Sequence, residues 1–300
     1  MSDKLKGSLL LLLTAVVWGA SFVSQSVGLD HMEPFSFNGL RSIIGGLSLL
    51  PVIAIIRRKS DGSDLKVSLT GGLCCGIVLF SASTIQQHAI QYTTAGKAGF
   101  ITALYIIIVP ILQLMLRQRP RKQIWVCAFA ALAGFWLLSV KEGFDVGHGD
   151  LMMLGCAVVF AVHIIVIDRF IKRGTDPILM ACVQFFVVGI LSAPFAFITE
   201  HPTLNDAMIS WLPLLYSGVA ACGVGYTLQM VGQKTTPPAA ATLIMSLESV
   251  FAVLFGWLLL GEQLTAREFG GCVLVFAAVL GAQIELPERK AEKHEDRVHT

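Results

Sequence analysis

Three hundred residues that are 55% apolar and 14% charged, with a mean hydropathy of +0.72, exclude a soluble globular surface. The net charge of +2 says little about partners and gives no reason to expect nucleic acid. No Walker-type sequence, His/Cys metal cluster or nucleophile elbow occurs, so ATP hydrolysis is excluded as an energy source and neither metal nor cofactor is expected.

A helix needs about 20 mainly apolar residues to cross the roughly 30 Å hydrocarbon core of a bilayer. Ten such runs can be drawn, at 7–27, 34–56, 67–89, 95–116, 123–140, 149–171, 177–198, 211–231, 238–260 and 267–285. They consume most of the chain, and the short connections leave no room for a soluble catalytic domain. All seven cysteines fall inside the runs, where they read as small packing residues.

The first run follows Lys4 and Lys6, and it is read as an uncleaved membrane helix because nine more runs follow. It carries Trp18, a candidate for substrate stacking or simple packing, and Ser21. The second run places Arg41 seven residues in, about 10 Å from its start. In the third, Ser83, Gln87 and Gln91 recur at i, i+4 and i+8 as a polar stripe that either lines a cavity or bonds helices together. Thr93 and Thr94 then stand as caps for the fourth run, which holds Tyr105, open to the same two readings as Trp18.

Beyond the featureless fifth run, His163 lies in mid-membrane in the sixth, either as a satisfied buried imidazole or as a proton relay. Gln184 of the seventh run stands in register with Arg41. The eighth run carries a second stripe, Tyr226, Gln229 and Gln233, and ends at Thr235-Thr236-Pro237-Pro238, a hydroxyl-and-proline start for the ninth helix. Glu248 sits ten residues into that helix, about 15 Å deep, where a carboxylate costs about 2.5–3.5 kcal/mol to insert. It should therefore face the interior and have a partner. Its depth differs from that of Arg41 by only about 5 Å, so the two are expected to pair. Thr265 and Glu268 form a capping box for the tenth run.

If the amino terminus is cytoplasmic, ten crossings put 18 of the 22 Lys and Arg residues inside, three outside (Lys97, Lys141, Arg267) and Arg41 within a span. The positive-inside rule then predicts a multi-pass protein of the cytoplasmic membrane with both termini in the cytoplasm. The polar tail, 287–300, is expected to be disordered there.

The chain also repeats itself. An offset of 142 aligns Gln87, Gln91, Thr93 and Thr94 with Gln229, Gln233, Thr235 and Thr236, and Gly7 with Gly149, while an offset of 143 aligns Arg41 with Gln184. Five runs per copy make the second copy enter from the opposite face. The predicted fold is thus an all-α integral membrane protein of ten transmembrane helices in two inverted five-helix repeats, 1–142 and 143–286. Inverted repeats of this kind are found in many secondary transporters, with the site near the midplane between the halves.

Four stretches carry a family resemblance: WGASF at 18–22, Arg41, QYTTAGKAGFITALYIIIVP at 91–110 and SLESVFAVLFGWLLLGEQLT at 246–265. Together they resemble the EamA branch of the drug/metabolite transporter superfamily. The resemblance covers all but the tail, and departs where Arg117-Gln118 replaces the family's Gly-Glu pair, kept as Gly261-Glu262 in the second copy. It implies ten helices around a central cavity and transport, often efflux, of a small metabolite, with an amino acid or related compound as the family-based expectation.

The expected partners are that small-molecule substrate, the lipid bilayer and a coupling proton, for which Glu248 is the first choice. The candidate substrate-binding residues are Trp18, Ser21, Arg41, Ser83, Gln87, Gln91, Tyr105, His163, Gln184, Tyr226, Gln229 and Glu248. The rival reading is an intramembrane enzyme acting on a lipid or prenyl substrate. It would need an acid, base or metal constellation at one membrane depth, and none is evident in the sequence.

Overall fold

A computed structural model describes residues 3–56, 64–93, 95–139, 147–260 and 265–284. Thr94, Lys141, Gly261-Glu262 and the tail lie outside the described residues. Those described fold into helices, with no strand among them. The membrane helices are labelled α1 (Asp3–Leu29), α2 (Pro34–Ile56), α3 (Leu65–Ile90), α4 (Ala95–Ala103 and Tyr105–Met115), α5 (Lys122–Ser139), α6 (His148–Ile171), α7 (Pro177–Phe195, prolonged by Ala196–Glu200), α8 (Trp211–Gln233), α9 (Pro238–Met245 and Leu247–Leu260) and α10 (Ala266–Gln283). Nine meet the length and hydropathy of a membrane span, and α5 is a shorter apolar helix.

The outer surface is apolar in stripes of helical spacing: Leu69, Leu73 and Ile77 on α3, Leu151, Leu154, Val158 and Val162 on α6, Phe269, Val273, Phe276 and Leu280 on α10. A soluble protein rarely exposes such stripes, whereas a bilayer solvates them. Inside, close approach depends on small residues. A Cβ built on Gly19 would lie 2.4 Å from the Cβ of Phe251, and one on Gly45 would lie 2.6 Å from that of Cys222, so α1 meets α9, and α2 meets α8, nearly backbone to backbone.

The first helix of each half packs into the other half. α1 lies against α8 and α9, while α6 lies against α3 and α4; α2 pairs with its repeat counterpart α7, and α5 with α10. Helix ends follow from local chemistry. Asp64 accepts from the amides of Lys66 and Val67 to start α3, Asp176 does the same for α7 ahead of Pro177, and Thr265 and Glu268 form the expected capping box.

The expected threonine cap of α9 is not formed, and of the pair expected to cap α4, Thr94 lies outside the described residues. Pro237 is the N-cap of α9, with Pro238 in its first turn, while Thr235 Oγ1 donates back to the Gly232 carbonyl and Thr236 Oγ1 is buried without a hydrogen-bond partner. Proline supplies a preset φ and no amide to satisfy, so the start of α9 needs no hydroxyl. Thr93 Oγ1 is committed elsewhere, donating to Asp150 Oδ1 of α6 at 2.7 Å.

Three irregularities in the helices around the centre of the fold were not anticipated. α4 breaks at Leu104 (φ −59°, ψ −14°) and α9 at Ser246 (φ −62°, ψ −14°), positions 142 apart and therefore equivalent in the two repeats. The Leu104 amide donates to Ile101, one residue short of the α-helical step. In α8, Tyr216–Gly225 winds as a π-helix, a form that concentrates at functional sites.

Candidate functional site

The breaks in α4 and α9 and the π segment of α8 converge on a cavity with about 680 Å³ of atom-free space, its open mouth included. Its walls come from α1 to α4 and α6 to α9. On α1, α2 and α3 the lining residues Gln25, Asn38 and Gln86 lie toward the membrane face at which α1 ends, at Leu29. Between the cavity and the opposite face, Leu11, Ile106, Val109, Leu243 and Met245 belong to one buried apolar cluster.

Nine of the twelve predicted residues line this cavity: Trp18, Ser21, Arg41, Ser83, Tyr105, His163, Tyr226, Gln229 and Glu248. Arg41 and Glu248 are buried, 6% and 4% exposed, and come no closer than 4 Å, so the expected ion pair is absent. Each has a neutral partner instead. Arg41 donates from Nε (3.2 Å) and Nη2 (2.9 Å) to Asn38 Oδ1, and Asn38 Nδ2 donates to Ser83 Oγ (3.0 Å). Asn38 is three residues before Arg41, on the same helix face. Its amide thus orients the guanidinium without neutralising it, as Tyr105 does for Glu248 by donating its hydroxyl to Oε1 at 2.9 Å. A buried charge without a counter-charge is costly, and a ligand that supplies one offsets the cost.

The remaining wall is aromatic. The ring centroids of Trp18 and Tyr226 are 4.6 Å apart, His163 and Phe185 meet Tyr226 edge-on, and Phe22 and Phe160 complete the surface. Trp18 donates its indole N–H to the Ala221 carbonyl inside the π segment. That interaction fixes the ring against the π segment.

Three predicted residues do not line the cavity. Gln87 is fully buried behind the wall and donates its amide to Gln25, the residue that does reach the cavity. Gln91 is exposed, past the end of α3. Successive i+4 steps rotate by about 40° each, so a stripe drawn from Ser83 has turned by about 80° at Gln91. Gln184 is also fully buried, and its Oε1 lies 3.1 Å from His163 Nε2, holding the imidazole from behind. Gln233, at the end of the second stripe, is buried outside the cavity and donates to the Ile164 carbonyl.

Gln25, Asn38, Ser42, Gln86 and Thr102 also line the cavity and were missed by the sequence reading. The positions of Gln25, four after Ser21, and Asn38, three before Arg41, would have signalled them.

The model of the EamA-like transporter family matches the chain twice, at residues 5–140 and 147–282. The chain therefore belongs to the EamA-like transporter family. A protein of Archaeoglobus fulgidus named as an uncharacterized transporter is 37% identical over 92% of this chain and 85% of its own length. A probable amino-acid metabolite efflux pump of Escherichia coli K12 is 28% identical over 96% of this chain and 98% of its own. The threonine/homoserine exporter RhtA of Salmonella typhimurium LT2 is 28% identical over 60% of each chain. A crystal structure of a protein 18% identical superposes with a TM-score of 0.75 over 92% of this chain and 97% of its own, a likeness of fold.

Proposed function

We propose that this chain is a secondary transporter of the cytoplasmic membrane that exports a small metabolite, an amino acid or a related compound, by alternating access. The observation that carries the reading is the placement of Arg41 and Glu248 in one cavity between two repeats whose fourth helices break at equivalent positions. Broken helices that meet at the midplane are the structural mark of a substrate site in inverted-repeat carriers.

The repeats would be 1–142 and 143–286, rocking about the cavity, with the termini in the cytoplasm as the basic residues require. Trp18, Ser21, Arg41, Ser83, Tyr105, His163, Tyr226, Gln229 and Glu248 would contact the substrate, with Gln87 and Gln184 supporting them. Glu248 would carry the coupling proton, flanked by Tyr105 and facing Arg41 and His163. Amino-acid export is supported by the names of full-length relatives.

The experiment is counterflow in proteoliposomes. A carrier loaded with unlabelled substrate accumulates labelled substrate transiently; a channel or an intramembrane enzyme does not. Absence of accumulation with every candidate metabolite, in vesicles shown to hold folded protein, would overturn the reading.

A further inference from the structure

The corner between α4 and α5 has a strained backbone. α4 closes with the two hydrogen bonds of a Schellman motif, from the Gln118 amide to the Gln113 carbonyl at 2.8 Å and from the Arg117 amide to the Leu114 carbonyl at 3.0 Å. The residue in the left-handed position of that motif is Arg117, with a φ of 61°. Glycine enters this region without steric cost, and an arginine does not. The second repeat has Gly261 at the position 144 residues further on. Strain kept at one position of one repeat points to a task for its side chain.

Arg119, Arg121 and Lys122 follow Arg117. All four cations are exposed, and none forms an ion pair with a described residue. The aligned positions of the second repeat are Gly261, Gln263, Thr265 and Ala266, with Glu262 among them. The basic corner is also held in shape. Gln113 Nε2 donates to Gln118 Oε1 at 3.2 Å, Pro120 has its φ fixed by its ring, and Gln123 Nε2 donates to the Ile284 carbonyl at the end of α10 at 2.8 Å. Helices α1 to α4 cross in turn, so this corner lies at the face where α1 begins, opposite the cavity mouth. Just inside it Met115 of α4 is 75% exposed and Val126 of α5 is 70% exposed. They stand two residues from Arg117 and four from Lys122, about 3 and 6 Å along their helices.

We infer that the α4–α5 corner is a binding site for an anionic phospholipid of the leaflet on that face, its phosphate held by the four cations and its acyl chains lying along Met115 and Val126. The site is separate from the cavity and independent of what the cavity carries. Guanidinium forks match phosphate oxygens in pairs, and a corner already fixed in shape loses little freedom on binding. The apolar side chains directly beneath the charges favour a lipid over a soluble anion. Membrane orientation also calls for basic connections, but it is satisfied by charge anywhere in the connection. It gives no reason to place arginine where the backbone calls for glycine.

The test titrates delipidated protein in detergent with dioleoylphosphatidylglycerol or dioleoylphosphatidylcholine, counting bound lipid by native mass spectrometry and following stability by melting. Wild-type protein should hold phosphatidylglycerol at least about tenfold more tightly than phosphatidylcholine. Arg117→Gly should weaken phosphatidylglycerol about fivefold, the effect of one cation at a membrane surface. In phosphatidylcholine the same variant should melt no lower than wild type, because glycine relaxes the turn. Combined replacement of Arg119, Arg121 and Lys122 by glutamine should erase the preference. Lys234→Gln, which removes an exposed cation from the α8–α9 corner of the same face, should leave it unchanged.

Equal binding of the two lipids by wild-type protein would overturn the inference. Equal loss in Arg117→Gly and Lys234→Gln would do so too, since it would mean diffuse surface charge in place of a site. A lower melting temperature of Arg117→Gly in phosphatidylcholine would mean that Arg117 serves the fold. Equal protection by glycerophosphoglycerol, the headgroup without acyl chains, would make a soluble anion the ligand. None of these results involves transport, so each leaves the transport reading as it stands.

Discussion

Tyr105 and Glu248 join the two repeats at their broken helices: the phenol donates to the carboxyl across 2.9 Å, one residue beyond the break in α4 and two beyond that in α9. Neither side chain has a counterpart in the other repeat, where Leu247 and Ile106 occupy the equivalent positions. The hydrogen bond is therefore an asymmetric device on a symmetric pair of joints. A bond to a charged group contributes roughly 1.5–3 kcal/mol. Tyr105→Phe should lower transport by about tenfold or more through misplacement of Glu248, with little loss of thermal stability, because the ring and its packing remain. Initial counterflow rates beside a detergent melting curve check both halves of this expectation. Unchanged transport in Tyr105→Phe would mean that the carboxyl is positioned by something else.

Gly19 separates α1 from the backbone of α9 at the level of Glu248. A Cβ there would meet Phe251 Cβ at 2.4 Å, and the Ala252 amide and the Glu248 carbonyl at 2.9 Å each, with no flexible side-chain end to move aside. Overpacking of this kind costs about 1–3 kcal/mol. Gly19→Ala should lower the melting temperature in detergent by several degrees and reduce transport. Gly270→Ala in α10 is the matched control, since nothing lies within 4 Å of its added Cβ. It should be neutral or slightly stabilising, as alanine is favoured over glycine in a helix by about 1 kcal/mol.

These two sites also show what a sequence exposes and what it hides. Hydrophobic length and basic-residue placement made ten helices legible because a bilayer imposes its thickness on every span. A charge at mid-membrane made Arg41 and Glu248 legible because burying one demands a reason. Their expected pairing was wrong for a physical reason: depth along a helix was readable, but rotation about it was not, and each found a neutral partner, Asn38 or Tyr105, close by. The breaks at Leu104 and Ser246 carry no proline or glycine at the break itself, so only the backbone reveals them. Gln91 was misassigned because a four-residue spacing was extended past the end of α3.

Glu200 ties the end of α7 to the start of α2. Its carboxylate accepts from the amides of Phe35 (2.8 Å) and Ser36 (2.7 Å) and from Ser36 Oγ (2.5 Å). It acts as an N-cap borrowed from a distant segment, favoured by the positive end of the helix dipole. Glu200→Gln removes the charge and one acceptor, and should destabilise the protein by about 1–2 kcal/mol. Hydrogen exchange should then quicken at the Phe35 and Ser36 amides while those in mid-α2 remain protected. Uniform acceleration along α2 would instead indicate global loosening and rule out a local capping role.

Thr93 and Asp150 form a corresponding tie between the α3–α4 corner and the start of α6, at 2.7 Å, where Gly149 lets Tyr92 pack directly on the backbone. On the opposite face the repeat places Thr235 against Gly7, but Ser8 stands where Asp150 would be and hydrogen-bonds Gln283 instead. One corner is held by a carboxylate and the other by contact alone. In an alternating-access cycle this bias favours closure of the α3–α4 corner on α6. Thr93→Val keeps the shape and removes the donor, so the corner should open more often, by about five- to tenfold for the loss of roughly 1–1.5 kcal/mol. Cys156, buried beneath this corner beside Met153 and Ile90, reports the opening. With the other six cysteines replaced by serine, its maleimide labelling rate should rise by that factor in Thr93→Val. Labelling should stay slow in Thr235→Val, whose hydroxyl donates within its own corner. Equal rates in both variants would place the gate elsewhere in the fold.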